Sequence, residues 1–355
     1  MSMFDDVLGF GRTSIMESMS DDALEPEIAG MTLEEAADID DDPMDFMLKV
    51  AYENEMNMMN LDAAIIAEEY LYLRENGQEM VTEAGKLGSI VEKAKAMILG
   101  LWEKIQAFFK TVLRKIEDKI ALDERFIKKY KDKVQGKYAL VKGVDTLMNF
   151  NEMKTNAVRI LNDIKELASN EVTNASKTKE ATFTEKDTFK KSLADKIGGQ
   201  TNTEDTAKAA MKVIIKGYKP EKDASPIRVS AKEALDALAT AKANKREIQD
   251  TYATNKKAIN AWLKDLKKLE SSLKKFKVIP TEMSKNVHKS VKNLNLAGSA
   301  LALVNRSYIK AINMGRSFCK AVIVQAAARQ EEPDDKAETS TKTEFASLIE
   351  SFELL

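Results

Sequence analysis

The chain has 355 residues, of which 44% are hydrophobic, 32% are charged and 6% are aromatic, with only 14 glycines and 6 prolines. This composition favours long helices over sheets, and the single cysteine, Cys319, excludes an internal disulfide. The single histidine, His288, excludes multi-histidine metal sites, and no glycine-rich phosphate loop is present. The sequence therefore predicts a non-enzymatic protein with no catalytic, cofactor-binding or metal-binding residues.

The charge of the chain is sorted by position. Residues 1–83 contain 22 acidic and 3 basic side chains, residues 84–330 contain 27 and 50, and residues 331–355 contain 8 and 2. The three segments therefore have net charges of −19, +23 and −6, which sum to the formal net charge of −2. A strongly basic body attracts polyanions, and acidic ends can compete with them for the same lysines.

Residues 1–83 form the acidic amino-terminal segment, which we expect to be partly flexible. Thr32 and Glu35 form a capping box, and the apolar spacing from Met44 predicts a helix that reaches about Asn76. The acidic run near position 40 lacks the glycine and distal glutamate of a calcium loop, which favours a solvated acidic face over a cation site.

Residues 84–172 are predicted to form long amphipathic helices. Apolar residues return every three or four positions from Leu87 to Tyr130, which predicts one helix of about 45 residues. Helical spacing resumes at Tyr138 and runs through Leu167. The aromatic face of the first helix also fits a helix lying on a membrane surface, but a packed core helix is the commoner origin of this pattern.

Residues 173–228 are rich in Thr, Asn, Ser and Lys, and we interpret them as a small helical insert with loops. Thr184 is expected to cap a short helix that ends at Gly198, and Thr201 to cap a second that ends near Gly217.

A heptad pattern dominates the start of the segment 229–330, which is predicted to be a long helical hairpin. Ser230 and Glu233 form a capping box, and the first helix is expected to run until Pro280. The heptad face can pack internally or form an oligomer seam, and the other long helices favour internal packing. The predicted packing seam consists of Ile259, Trp262, Leu266, Leu269, Leu273 and Phe276.

The last predicted helix begins at Thr281 and reaches about Arg329. Its small residues from Ala297 to Ala302 allow another helix to approach closely, and Cys319 is expected to be a small core residue. Residues 331–355 form an acidic tail.

The basic body is rich in lysine, with 42 Lys and 8 Arg. Lysine is a flexible point charge that neutralises phosphates, whereas base reading relies more on arginine, so any DNA contact should be independent of sequence. A soluble lysine-rich surface is the competing interpretation. The candidate DNA-contacting residues are Lys256, Lys257, Lys264, Lys267, Lys268, Lys274 and Lys275.

The change from acidic to basic charge falls in a hydrophilic joint from Glu79 to Lys86. The opposite charges can pair within the chain, or the acidic segment can be a propeptide that blocks polyanion binding until a protease removes it. In this layout the chain resembles the internal head (inner-body) proteins of large tailed bacteriophages. The resemblance also covers the stretch from Arg74-Glu75-Asn76-Gly77 into the aromatic helix and, loosely, the stretch from Phe189 to Glu204.

The resemblance implies a helical structural protein of the virion interior, made in the host cytoplasm, with DNA and other virion proteins as partners. Members of this family are cut after glutamate by a prohead protease, commonly where a small or aliphatic residue stands two positions before it. The resemblance therefore implies possible cleavage after Glu17, Glu83 and Glu350, although Val81 departs from the stricter forms of the pattern.

The sequence thus predicts an all-α, elongated bundle with coiled-coil-like packing and the small helical insert. The functional hypothesis is a structural virion protein whose lysine-rich body contacts DNA without sequence specificity, while the acidic ends mask it or are removed. The alternative is a helical adaptor or scaffold that assembles through its heptad face and has no nucleic-acid role. Neither hypothesis includes a cofactor, a small-molecule substrate or a membrane partner, and an oligomer is compatible with both.

Overall fold

A computed structural model describes residues 47, 49–53, 56, 82–141, 149–175, 186–198, 203–216, 227–276, 278–279 and 281–328. Over these residues the fold is all-α, as predicted, with seven α-helices and two short antiparallel strand pairs. The helices are α1 (Ala84–Tyr130), α2 (Phe150–Ala175), α3 (Lys186–Ile197), α4 (Thr203–Ile214), α5 (Ala231–Thr240), α6 (Asn244–Leu273) and α7 (Thr281–Ala328). The strands are β1 (Thr82–Glu83), β2 (Tyr138–Val141), β3 (Ile227–Ser230) and β4 (Val278–Ile279).

The long helix α1 confirms the strongest periodic pattern of the sequence. It has 47 residues, which corresponds to a length of about 70 Å and makes the bundle elongated. Its apolar stripe is buried, from Leu87 through Ile105 to Ile116. The basic residues Lys128 and Lys129 lie in its last turn, where they interact favourably with the helix dipole.

Four long helices form the centre of the bundle. The pairing of β1 with β4 places the first residues of α1 and α7 side by side, and Asp123 of α1 contacts Arg316 of α7 near their other ends, so these two helices run parallel. Helix α6 runs antiparallel to α1, because Lys95 pairs with Glu270 whereas Glu117 pairs with Lys245. Helix α2 runs parallel to α6 and antiparallel to α7.

Helix α7 is the most enclosed element, since it contacts α1, α2, α4 and α5 and is buried around most of its circumference. Gly315 allows the start of α2 to approach closely, because a Cβ there would lie 2.8 Å from the Phe150 ring. Helix α2 packs against both α6 and α7, whereas α6 and α7 touch each other only locally. The two helices of the expected hairpin thus share a partner helix instead of packing along each other.

The prediction of helix at Tyr138 is wrong. Residues Tyr138–Val141 form β2, which pairs antiparallel with β3 and alternates between half-buried and buried side chains. Four residues are too few to distinguish a helical from an extended pattern, and pairing with a strand about 90 residues away decides the outcome. The next helix begins only at Phe150, and the predicted helical positions 144 and 147 lie outside the described residues.

The two short helices of the predicted insert are confirmed as α3 and α4. Gly198 follows α3 with a φ of 121°, and a Cβ there would lie 2.7 Å from the Val213 side chain. Both the backbone conformation and the close approach of α4 therefore require glycine at this position. Gly217, the predicted end of the second helix, lies outside the described residues, and α4 ends at Ile214.

The predicted continuous heptad helix is interrupted. A 3₁₀ turn at Ala241–Ala243 separates α5 from α6. Ser230 occupies the N-cap position of α5, but its side chain makes no capping hydrogen bond, so the helix begins where predicted without the predicted cap interaction. Helix α6 ends at Leu273, before Pro280, and Phe276 therefore lies in the turn beyond the helix.

Candidate nucleic-acid interface

The outer face of α6 and of the turn that follows it carries all seven candidate DNA-contacting lysines, and each of them is exposed. We call this surface the lysine face; it comprises Lys256, Lys257, Lys264, Lys267, Lys268, Lys274 and Lys275. From its first to its last residue it extends about 28 Å, close to the length of eight base pairs of DNA. The arrangement can neutralise a row of phosphates along one groove edge.

Most of the lysine face has no internal counter-charge. Lys268 lies 2.9 Å from Asp265, and Lys274 pairs with Glu270. The other five lysines make no ion pair with any residue that the structure describes. Hydrogen bonds from Lys274 and Lys95 lower the pKa of Glu270 to about 2, so this carboxylate stays ionised and occupied by its own lysines.

The inner face of α6 contains the predicted packing seam, and it lies in the core of the chain. Ile259, Trp262, Leu266, Leu269 and Leu273 are buried, and Phe276 is half-buried. The indole N–H of Trp262 donates a hydrogen bond to the backbone carbonyl of Lys165 in α2, with an N···O distance of 3.1 Å. The heptad face is therefore occupied by helices of the same chain.

The aromatic stripe of α1 also points inward. Phe108 and Phe109 are buried, and Trp102 stacks on Tyr252 of α6 with ring centroids 5.2 Å apart. The side chains that suggested a membrane-surface helix are thus engaged in helix packing. Among the described residues, no helix is long and apolar enough to cross a bilayer.

Part of the acidic amino-terminal segment packs into the basic body. Residues 47, 49–53 and 56 are helical, as predicted, and the rest of the helix predicted from Met44 to about Asn76 lies outside the described residues. Met47, Val50 and Ala51 are buried in the core. The Ser299 hydroxyl donates a hydrogen bond to the Ala51 carbonyl at 3.3 Å, within the small-residue segment of α7 that was expected to admit another helix. Lys104 of α1 pairs with Glu53, so opposite charges meet at this contact.

Of the three possible cleavage positions, only Glu83 lies within the described residues. It is the last residue of β1, and its backbone is opposite Val278 of β4. Glu17 and Glu350 lie outside the described part of the chain.

A buried charge cluster joins α1 to α7, and the sequence analysis did not identify it. The Asp123 carboxylate accepts a hydrogen bond from Nε of Arg316 at 2.7 Å and lies 2.7 Å from Nζ of Lys320. Asp123 and Arg316 are each about 96–97% buried. Burial, together with the positive charges of Arg316 and Lys320, lowers the pKa of nearby Lys119 to about 8. The cluster thus holds more cations than anions. The sequence contains one signal for it, because Arg316 and Lys320 stand four residues apart in an otherwise uncharged run and therefore share one face of α7.

A second basic surface lies at the end of α1 and was also missed. Lys128, Lys129, Lys131 and Lys133 are exposed there, and Lys133 lies 5.9 Å from the centroid of the Tyr130 ring. On the adjacent strand pair, Arg228 of β3 stacks over the Tyr138 ring of β2 at 3.3 Å. This surface combines lysines with aromatic rings, but it is shorter than the lysine face.

Other chemistry is sparse in the described part of the chain. No group of three or more His, Cys, Asp or Glu side chains there is arranged to hold a metal ion. Cys319 is fully buried, as predicted, and burial raises the pKa of its thiol to about 12, so the reactive thiolate is suppressed. His288 lies half-buried in α7.

Comparison of the chain with protein-family models, with curated proteins and with solved structures finds no match.

Proposed function

We propose that the chain is a non-enzymatic structural protein that binds DNA without sequence specificity through the lysine face of α6. The observation that carries the proposal is a row of seven exposed lysines about 28 Å long, five of which have no ion-pair partner among the described residues. Lysine ammonium groups neutralise phosphates but read bases poorly, so the affinity should come from release of counterions.

The setting we propose is the interior of a phage head, with other virion proteins as further partners. The resemblance in chain layout supports this setting, and so does the separation of a basic body from acidic ends. In this proposal the acidic ends compete with DNA for the lysines. The burial of Met47, Val50 and Ala51 favours intramolecular pairing over complete removal of residues 1–83, because their loss would open the core.

The alternative function, a helical adaptor that assembles through its heptad face, is less well supported. Its proposed contact residues are buried against helices of the same chain. An adaptor would therefore have to use a different surface or expose part of its core.

The decisive experiment is a salt titration of DNA binding by the full chain. Fluorescence anisotropy with a labelled 24-base-pair duplex would be recorded between about 25 and 200 mM NaCl, for two duplexes of unrelated sequence. Wild type should bind both duplexes equally. If the four lysines that the test variant replaces each contact one phosphate, they contribute about −3.6 to the slope of log K against log[salt].

The test variant replaces Lys256, Lys257, Lys264 and Lys267 by glutamine. The matched control removes the same charge from exposed lysines on three other helices: Lys93, Lys110, Lys191 and Lys212. We expect the test variant to lose about tenfold or more in affinity at low salt and the control to lose much less. Equal losses would assign the binding to net charge alone, and no binding by wild type would refute the proposed function.

The location of the mature termini is a separate question. Intact mass and terminal sequencing of protein from its native source should detect termini after Glu17, Glu83 or Glu350 if the ends are removed. An intact chain would show that the acidic segment is a permanent partner of the body.

A further inference from the structure

The second basic surface, at the end of α1, has no counter-charge among the residues that the structure describes. Its four exposed lysines, which we call the α1-end cluster, are Lys128, Lys129, Lys131 and Lys133. The helix dipole accounts for lysines in the last helical turn, but Lys131 and Lys133 lie in the turn beyond the helix. The nearby carboxylate of Glu124 pairs instead with Lys242, at 2.8 Å. The cluster is therefore open to an acidic partner.

The end of α7 lies beside the α1-end cluster. Helices α1 and α7 run parallel, and Nζ of Lys320 lies 5.7 Å from the centroid of the Phe126 ring. Ala328 ends α7 about 12 Å beyond Lys320, and Tyr130 ends α1 about 6 Å beyond Phe126. Because neighbouring helix axes are about 8–10 Å apart, the two helix ends are separated by about 12 Å.

The segment that follows α7 carries the opposite charge. Residues 331–335 read Glu-Glu-Pro-Asp-Asp, so the segment contains four acidic residues and no basic one, and it begins three residues after Ala328. The segment itself lies outside the described residues, and its charge and length come from the sequence. Seven residues span at most about 25 Å when extended, which is enough to bring the whole segment to the α1-end cluster.

The lysine face of α6 is out of reach of the same segment. The ion pairs of Lys95 with Glu270 and of Glu117 with Lys245 set the relative position of α1 and α6. They place Lys256, the member of the lysine face nearest to this end, about 28 Å before Phe126 along the bundle. Lys256 is therefore about 40 Å from the end of α7, which exceeds the reach of about 25 Å.

We propose that residues 331–335 bind to the α1-end cluster of the same chain. A single exposed ion pair stabilises little, but several pairs on a tethered segment act together at a high effective concentration. The carboxyl-terminal acidic segment then covers the basic surface at the end of α1 and leaves the lysine face open. This contact holds whether or not the lysine face binds DNA, so the two proposals can fail separately.

The first test is carbodiimide cross-linking of the full chain without DNA, followed by peptide mass spectrometry. The reagent joins a carboxylate to a contacting lysine as an amide. We expect residues 331–335 to cross-link to the α1-end cluster, with a yield that falls in about 0.5 M NaCl because exposed charges are screened. An equal mixture of isotope-labelled and unlabelled chains separates contacts within one chain from contacts between two. Equal yields on the lysine face, or cross-links mainly between two chains, would contradict the proposal.

The second test measures how fast each lysine is acetylated by an N-hydroxysuccinimide ester. The test variant neutralises the segment through Glu331→Gln, Glu332→Gln, Asp334→Asn and Asp335→Asn. The matched control removes the same charge farther along the chain, through Glu338→Gln, Glu344→Gln, Glu350→Gln and Glu353→Gln. If the segment is bound in more than half of the molecules, the test variant should acetylate the α1-end cluster at least about twofold faster than wild type. The control should change these rates much less, and Lys264 of the lysine face should react alike in all three proteins.

Two outcomes of the second test would overturn the proposal. Equal acceleration in the test and control variants would assign the effect to net charge alone. Unchanged rates in the test variant would show that residues 331–335 do not cover the α1-end cluster. In that case, protection of the cluster by an added DNA duplex would identify the surface as a second DNA contact instead.

Discussion

The two faces of helix α6 differ in their exposure to solvent and in their contacts. The outer face carries exposed lysines with few partners, whereas the inner face is buried against α1 and α2. The inner face is itself divided: its second half is apolar around Trp262 and Leu266, but its first half buries Asn244, Glu247, Thr251 and Asn255.

Polar residues can occupy core positions of a heptad helix when a partner helix supplies matching polar groups. Asn255 and Asn305 of α7 exchange two amide hydrogen bonds, each with an N···O distance of 2.8 Å. Both side chains are fully buried. A pair of this kind fixes the register of two helices, because sliding one past the other would leave the side-chain oxygens of both amides without donors.

The largest effect should come from the apolar part of the inner face. Leu266→Asp places an unpaired charge in the core and should lower the free energy of unfolding by about 3–5 kcal/mol, as measured by denaturant titration. Lys264→Ala, on the outer face, should change it by less than about 0.5 kcal/mol. If Leu266→Asp instead left the monomer stable and only dissociated an oligomer in sedimentation experiments, the seam would be intermolecular.

The polar part of the inner face should show coupling. Asn255→Leu leaves the buried Oδ1 atom of Asn305 without a donor and should cost about 1–3 kcal/mol of unfolding free energy. The double variant Asn255→Leu, Asn305→Leu should recover part of that loss, since both polar groups are then absent. Additive losses in the double-mutant cycle would show that the two amides do not interact.

The half-buried Lys119 should behave unlike the lysines of the outer face. The pKa of Lys119 is lowered to about 8, so its positive charge destabilises the folded state. Lys119→Met should therefore raise the free energy of unfolding by about 1–2 kcal/mol at pH 7. The unfolded lysine titrates near 10.4, so the penalty should be full below about pH 8 and should fade as the pH rises from 8 to 10.4. A constant difference across this range would exclude Lys119 as the source.

The smallest effect is expected at the edge between the two faces, at Glu270. Its pKa is depressed to about 2 by hydrogen bonds from Lys274 and Lys95, so it stabilises the fold above its unfolded pKa near 4.3 and loses this contribution as the pH falls toward 2. Glu270→Gln should lower Tm slightly at pH 7 and not at pH 2. Glu103→Gln, at an exposed site on α1, removes one negative charge away from this contact and serves as the matched control.

The long helices could be predicted because their apolar period repeats over dozens of residues, as in α1 and in the second half of α6. The exposure of the lysine face followed from the same period. Short elements and long-range contacts could not be predicted from the sequence. The strand β2 depends on pairing with a strand far along the chain, and the Asp123 contact depends on which faces of α1 and α7 meet. The burial of Glu247 could not be predicted for the same reason, because a carboxylate in a helical pattern is normally solvated and only the tertiary packing buries it.

The hydrogen bond between Ser299 and Ala51 joins residues 248 positions apart. During translation, the segment around Met47 leaves the ribosome long before α7 has been made. Its apolar side chains therefore cannot be buried until α7, the last helix of the described residues, has been synthesised. Helix α7 is also the helix that most other helices contact. Contacts of such high sequence separation form late and slowly. We expect the nascent chain to complete its core only after α7 emerges, so chains truncated before Thr281 should be prone to aggregation.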